Sequence, residues 1–171
     1  MKVTLDDIKI IIDNLARKIN APQDLLPTYG QSIDGAHPHI EVDKNGQLYY
    51  VIVERGEELK RDFAADTNDL LYRVFSGVTF SMAVDFELNN RIDTEDCRRK
   101  MFSKQQELLA TLDKYWGIRI EKEHQWILRT HPFDDLASIR ANYSKQLTDT
   151  GTESWTAWNE ACKKYPLPKS S

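Results

Sequence analysis

Thr67-Asn68-Asp69-Leu70-Leu71-Tyr72-Arg73-Val74-Phe75-Ser76-Gly77-Val78-Thr79-Phe80-Ser81-Met82-Ala83-Val84-Asp85-Phe86-Glu87-Leu88 is the stretch that decides the fold. Its apolar residues, including Leu71, Val74, Phe75, Val78, Phe80, Met82 and Phe86, cover more than one helical face. A helix of that kind has to lie against a sheet and under other helices, as the hub of a core. Thr67 is placed to cap it, and it ends near Asn89, Asn90 and Arg91. Thr79, Ser81 and Asp85 sit inside the apolar run. Each needs a partner, because burying a polar group unpaired costs roughly 2–7 kcal/mol. For Asp85 the expected partner is Arg98 or Arg99, fixing how this helix meets the next; the alternative is a place on a binding surface with Glu87.

The residues upstream supply the sheet. Ile40 and Val42 alternate with His39 and Glu41 in a strand over residues 37–42. A turn through Asp43, Lys44, Asn45 and Gly46 follows, whose Asn-Gly pair suits the positive backbone angles of a tight hairpin. Residues 47–54 are apolar on both faces, as in a central or covered strand. Arg55, Gly56 and Glu57 make the next turn, and residues 58–64 alternate Leu59, Arg61 and Phe63 with charged neighbours, as an edge strand does. The sum is a three-stranded antiparallel meander.

Thr4 and Asp7 resemble a capping box, and Leu5, Ile8, Ile12, Leu15 and Ile19 recur at helical spacing, predicting a helix over residues 4–20 and a loop from there to about Ala36. Downstream, Thr94 is placed as a cap with Glu95 and Asp96 in the first turn of a helix that buries Cys97, Met101, Leu108, Leu109 and Leu112. Tyr115, Trp116 and Gly117 interrupt it, and an amphipathic piece continues over residues 118–129. Beyond Pro132 the pattern predicts a helix over 134–147, a turn at 149–151 and a short helix over 152–164 docked through Trp155, Trp158 and Cys162. The fold class expected is α+β: an N-terminal helix, the meander, then a layer of long helices with a short helical C-terminal extension. The division expected is a domain over residues 1–133 and an extension over 134–171 on the same core.

Length and composition set outer bounds. With 171 residues, 40% hydrophobic and 29% charged, the chain is long enough for one good core. No apolar run approaches the roughly 20 residues that cross a bilayer. Asp6 and Asp7 interrupt the stretch opened by Met1 and Lys2 where a signal peptide would be apolar, so a cytoplasmic location is expected. Cys97 and Cys162, the two cysteines, form neither a disulfide framework nor a zinc pattern and read as packed, reduced thiols. The net charge of −4 argues against nucleic-acid binding and for a basic protein partner. From Asp85 to Asp96, five acids (Asp85, Glu87, Asp93, Glu95, Asp96) stand against Arg91 alone, an excess as large as that of the whole chain.

Three sets of residues have types that could converge into a reaction centre. His37, His39 and Glu41 alternate along one strand and share a face, the geometry of an open metal site, although polar residues at a strand entrance are ordinary. Asp43 with Glu58 and Lys60 is similar to the acid and Glu-x-Lys pattern of metal-dependent nucleases, but Asp43 belongs to a turn and the tripeptide is common by chance. His131 with Asp134 and Asp135 could be an acid–base pair, or the two acids could simply start a helix. There is no Gly-rich phosphate loop, no Gly-x-Ser-x-Gly elbow and no His-Glu-x-x-His, so no catalytic residue, metal or other cofactor is assigned.

Several ordered motifs resemble one family. They are Leu26-Pro27-Thr28-Tyr29-Gly30, His37-Pro38-His39-Ile40-Glu41-Val42-Asp43, the Tyr49 to Leu59 run, Asp69-Leu70-Leu71-Tyr72-Arg73-Val74-Phe75, the Val78 to Leu88 run and the Arg98 to Leu109 run. In that order, over roughly residues 5–133, they are similar to immunity protein family sixty-three of bacterial polymorphic toxin systems. The resemblance implies a stoichiometric binder of a cognate toxin's C-terminal domain, with no catalytic residues; the charge and hydropathy point to no nucleic-acid or membrane partner. The toxin-binding residues expected from charge are Glu87, Asp93, Glu95 and Asp96 first and Glu54, Glu57 and Glu58 second, with Trp155 or Trp158 as aromatic anchors if they are not core. The oligomeric state is left open. The alternative function is a metal-dependent hydrolase or nuclease using His37, His39 and Glu41, or Asp43, Glu58 and Lys60.

Overall fold

The computed structural model describes residues 3–169, so Met1 and Lys2, which open the N-terminal stretch, lie outside the described residues, as do Ser170 and Ser171. The architecture is α+β. Helix α1 (Leu5–Lys18) precedes strands β1 (Thr28–Tyr29), β2 (Pro38–Val42), β3 (Leu48–Glu54) and β4 (Glu57–Ala64). Helices α2 (Thr67–Asn89), α3 (Arg98–Leu112), α4 (Lys114–Thr130), α5 (Ala137–Asp149) and α6 (Ser154–Lys164) follow. None of the described helices is long and apolar enough to cross a membrane. The chain divides into two compact units: residues up to Met82 with Gln105–Ile120, and Ala83–Lys104 with residues from Glu121 onward.

The first unit holds the sheet, in the order β1-β2-β3-β4. The three expected strands form an antiparallel meander, but β1 joins it parallel to β2 through Thr28↔His39 and Tyr29↔Ile40, making a mixed four-stranded sheet. A two-residue strand set among prolines and glycines has no periodicity to betray it. The turn after β2 also departs from expectation. Only Gly46 takes a positive φ, 84°. Gly46 N–H donates to the Asp43 carbonyl (2.9 Å), and the Asp43 carboxylate accepts from the Asn45 and Gln47 N–H groups (2.8 Å each), a longer loop ending in a left-handed glycine.

Helix α1 begins with the predicted box: Asp7 N–H donates to Thr4 Oγ1 (3.2 Å) and Thr4 N–H to the Asp7 carboxylate (3.0 Å). Its inner face seats Ile8 and Ile12, both fully buried, each worth about 2 kcal/mol relative to exposure. They share one core with Ile40, Leu48 and Tyr50 of the sheet, Leu70, Val74 and Phe75 of α2, and Leu109 and Trp116. The first half of α2 is thus the hub the sequence predicts. Asp66, one residue earlier than Thr67, is its cap, accepting from Asp69 N–H at 2.8 Å. Thr79 is fully buried and satisfied within the helix, its hydroxyl donating to the Phe75 carbonyl at 2.6 Å. The break between α3 and α4 falls at Asp113, not at residues 115–117. Gly117 continues α4, and a Cβ on it would stand 2.7 Å from the Cβ of Ala110. The close approach of two helices put that glycine there, not the end of one.

The second unit is helical, and its apolar faces are narrower than the sequence suggests. Phe80, at the end of the first unit, and Phe86, in the second, are 45% and 39% exposed. Asp85 is exposed too, so it ties no helices together: Arg98 pairs with Asp96 and Arg99 with Asp135. α3 starts at Arg98 rather than at a Thr94 cap, because the Asp96 carboxylate accepts from Arg98 N–H (2.9 Å). Cys97 is exposed rather than packed, whereas Cys162 is half-buried. In α6 the buried positions are Ala157 and Ala161, while Trp155 and Trp158 point outward at 69% and 38% exposure, reversing the expected docking face. Small residues let α6 approach α5 closely, and the two indoles at the neighbouring positions are left outside.

Candidate functional site

The β3–β4 turn carries the second acidic cluster. Glu54 and Glu57 are direct cross-strand partners, an arrangement in which like charges repel. The turn between them puts Arg55 at φ 53° and Gly56 at φ 75°; the first is a left-handed conformation that favours Asn or Gly over Arg. A bulge follows immediately, Ile52 pairing with Lys60 and Val53 with Glu58, which leaves Leu59 unmatched and 58% exposed. Glu58 is less available than its neighbours. Its carboxylate receives the Arg61 guanidinium through bonds of 2.7–3.0 Å.

Arg61 extends this cluster across the sheet. Its Nη1 donates to Glu41 (2.8 Å), whose other oxygen lies 2.9 Å from His39 Nε2. His39 is only 2% exposed. The Arg61 hydrogen bond holds the Glu41 carboxyl below its ordinary range against the opposing effect of burial, with His39 assisting. The guanidinium also lies 5.4 Å from the Tyr49 ring centroid, and Tyr49 meets Phe63 edge-on at 5.9 Å. This face therefore offers arginine, tyrosine and phenylalanine beside the acidic turn, residue types enriched in protein interfaces.

The first acidic cluster has another character. Glu87, Asp93, Glu95 and Asp96 do converge, lining one depression of about 360 Å³. Asp93 and Glu95 are exposed, but Glu87 is 3% exposed and gripped by Arg91 at 2.7 and 2.9 Å, which lowers its pKa. Asp96 accepts from the Arg98 guanidinium, from Arg98 N–H and from Asp134 N–H. Burial works to raise its pKa, yet those donors, Arg98 above all, hold it below the usual carboxylate range. Arg98 further donates to the carbonyls of His131 and Pro132, both at 2.8 Å. Arg99 holds Asp135 at 2.8 Å, and with Asp96 N–H it draws that carboxyl down to about 2. A linear count from Asp85 to Asp96 set five acids against Arg91 alone; it stopped two residues short of Arg98, which the fold further ties to the His131 and Pro132 carbonyls and so gives internal work.

Sequence reasoning missed the most buried cation of this unit, Arg140, 2% exposed. It donates to both oxygens of Asp134 (2.7 and 3.0 Å) and to the carbonyls of Tyr165 and Pro166 (2.7 and 2.9 Å). No local pattern marks such a residue, since its partners lie up to 26 positions away. Asp134 and Asp135 are thereby committed to arginines, while His131 Nδ1 lies 2.9 Å from Thr130 Oγ1, so the suspected acid–base pair is not assembled.

The other suspected reaction centres are dispersed in the same way. His37 turns its Nε2 to the Leu26 carbonyl at 2.9 Å, away from the His39–Glu41 pair. Asp43 caps its own turn, Glu58 holds Arg61, and Lys60 pairs with Asp62 at 2.9 Å. Among the described residues no group of three His, Cys, Asp or Glu side chains is placed to hold a metal ion.

Against known proteins, residues 44–126 match the family model described as Immunity protein 63. That segment includes β3, β4, α2, α3 and most of α4. No curated protein and no solved structure matches the chain.

Proposed function

We propose that this chain, an Immunity protein 63 relative through residues 44–126, is a bacterial, cytoplasmic immunity protein of a polymorphic toxin system. It binds the C-terminal domain of a cognate toxin one to one and blocks it, making and breaking no covalent bond. The observation that carries this reading is the family match. The net charge of −4 supports a basic partner, for which an acidic surface raises the association rate and selects against wrong partners.

Of the two acidic clusters, the β3–β4 turn is the better contact. Glu54 and Glu57 face one another without a salt bridge among the described residues, and a lysine or arginine from the toxin relieves their repulsion. Asp93 and Glu95 are the available members of the other cluster. Trp155 and Trp158, exposed on α6, can serve as apolar anchors.

Coexpression with the C-terminal domain encoded by the gene immediately upstream tests the function. Survival of the host together with recovery of a one-to-one complex is expected. Cells that die at the same rate with and without this protein would discard the reading for that pair.

A further inference from the structure

Strand β1 is short because its work is to close a loop. Gly30 N–H donates to the Ile40 carbonyl (2.8 Å) at one end and Ala36 N–H to the Val53 carbonyl (2.9 Å) at the other. Inside, Thr28 Oγ1 donates to the Gln31 carbonyl (2.8 Å), Asp34 N–H to Ser32 Oγ (2.9 Å) and His37 N–H to the Asp34 carbonyl (3.2 Å). Asp34, Gly35 and Ala36 have φ of 64°, 65° and 58°. Three left-handed residues in succession are unusual, since L-residues visit that region singly. At the tip is Ile33, 65% exposed.

A single exposed isoleucine is ordinary. One carried on a strained loop tied at both ends is preorganised, and strain of this kind concentrates where a loop has a task beyond stability. Ile33 lines a depression of about 540 Å³ together with Lys9, Asp13, Asp24, Tyr29 and His37. Lys9 pairs with Asp13 at 2.6 Å. Asp24 and Asp34 are exposed and form no salt bridge among the described residues. The loop thus presents an apolar tip with uncompensated carboxylates beside it, which fits a basic protein surface carrying an apolar patch and does not fit an anionic ligand.

We propose that residues 30–37 and the adjoining depression are a docking surface for the toxin domain, with Ile33 as the apolar anchor and Asp24 and Asp34 receiving its lysines or arginines. This rests on the toxin-binding reading above and adds a contact that charge counting did not find. The test is calorimetric titration of the purified chain with the C-terminal domain encoded immediately upstream. Wild type is compared with Ile33→Ser and with Asp34→Asn, which removes the charge while keeping a residue that tolerates positive φ. Ile33→Ser is expected to weaken Kd by about tenfold or more. Asp34→Asn should weaken it by about threefold and flatten its salt dependence, both with unchanged Tm. If wild type binds and both folded variants stay within about twofold, the docking surface is refuted while toxin binding stands. A wild type that does not bind overturns both.

Discussion

Around Asp96 the carboxylates are consumed inside the second unit by Arg91, Arg98 and Arg99, whereas at the β3–β4 turn Glu54 and Glu57 are left facing each other. Both stretches read alike as clusters of acids. One has become largely internal scaffolding, in which Glu87, Asp96 and Asp135 are each matched by an arginine and several backbone donors are satisfied. The other keeps a left-handed arginine, a like-charged pair and a bulge within six residues, against local preference. Acids that fold around arginines stabilise; acids held apart from them are available to something else.

Substitutions should separate these two characters by sign. The largest effect is expected inside the second unit, where Arg140→Ala leaves Asp134 and two carbonyls without their donor and should cost about 3 kcal/mol in urea unfolding. Asp96→Asn removes the charge that holds Arg98 and should cost about 2 kcal/mol by the same measurement. Acid titration probes the same cluster. Asp96 and Asp135 both have pKa values below those of an unfolded chain, Asp135 at about 2. Their stabilisation is therefore complete above about pH 4 and lost as pH falls toward 2. Asp135→Asn should flatten the dependence of Tm on pH within that window and nowhere above it.

At the turn the signs reverse. Arg55→Asn puts a residue that accepts φ 53° where arginine is strained, and should raise stability by about 0.5–1 kcal/mol. Glu57→Lys turns repulsion across the strands into attraction and should add a few tenths of a kcal/mol while weakening capture of the proposed toxin partner. If Glu57→Lys instead destabilised the protein as strongly as Asp96→Asn, the contrast between the two clusters would collapse.

What could be read in advance followed the range of the interactions involved. The Thr4–Asp7 box, the meander and the first half of α2 rest on contacts a few residues apart or on periodicity, and all three are present. Strand β1 rests on pairing with a segment 11 residues away, without a pattern of its own. The fate of Asp135 turned on Arg99, 36 positions away, and that of Asp85 on being left exposed, whereas Arg98, the partner of Asp96, lies only two residues past the stretch counted for charge. Trp155 and Trp158 have the spacing of a buried stripe, but Ala157 and Ala161 occupy the closely packed side and leave no room there for indole rings. The acids named as toxin contacts were legible as charge. Which of them face solvent unmatched was not, because Glu58 is claimed by Arg61 and Glu87 by Arg91.

Gly117 gives the experimenter a control that none of these substitutions provides. With only 2.7 Å between the position a methyl would take and the Ala110 methyl, even alanine must pry two helices apart against the backbone of residue 110. Such a variant keeps every outward-facing group and loses only its tolerance of heat. It would make the protein conditional, assembled in the cold and dismantled on warming, so that withdrawal of its action could be timed in a living culture.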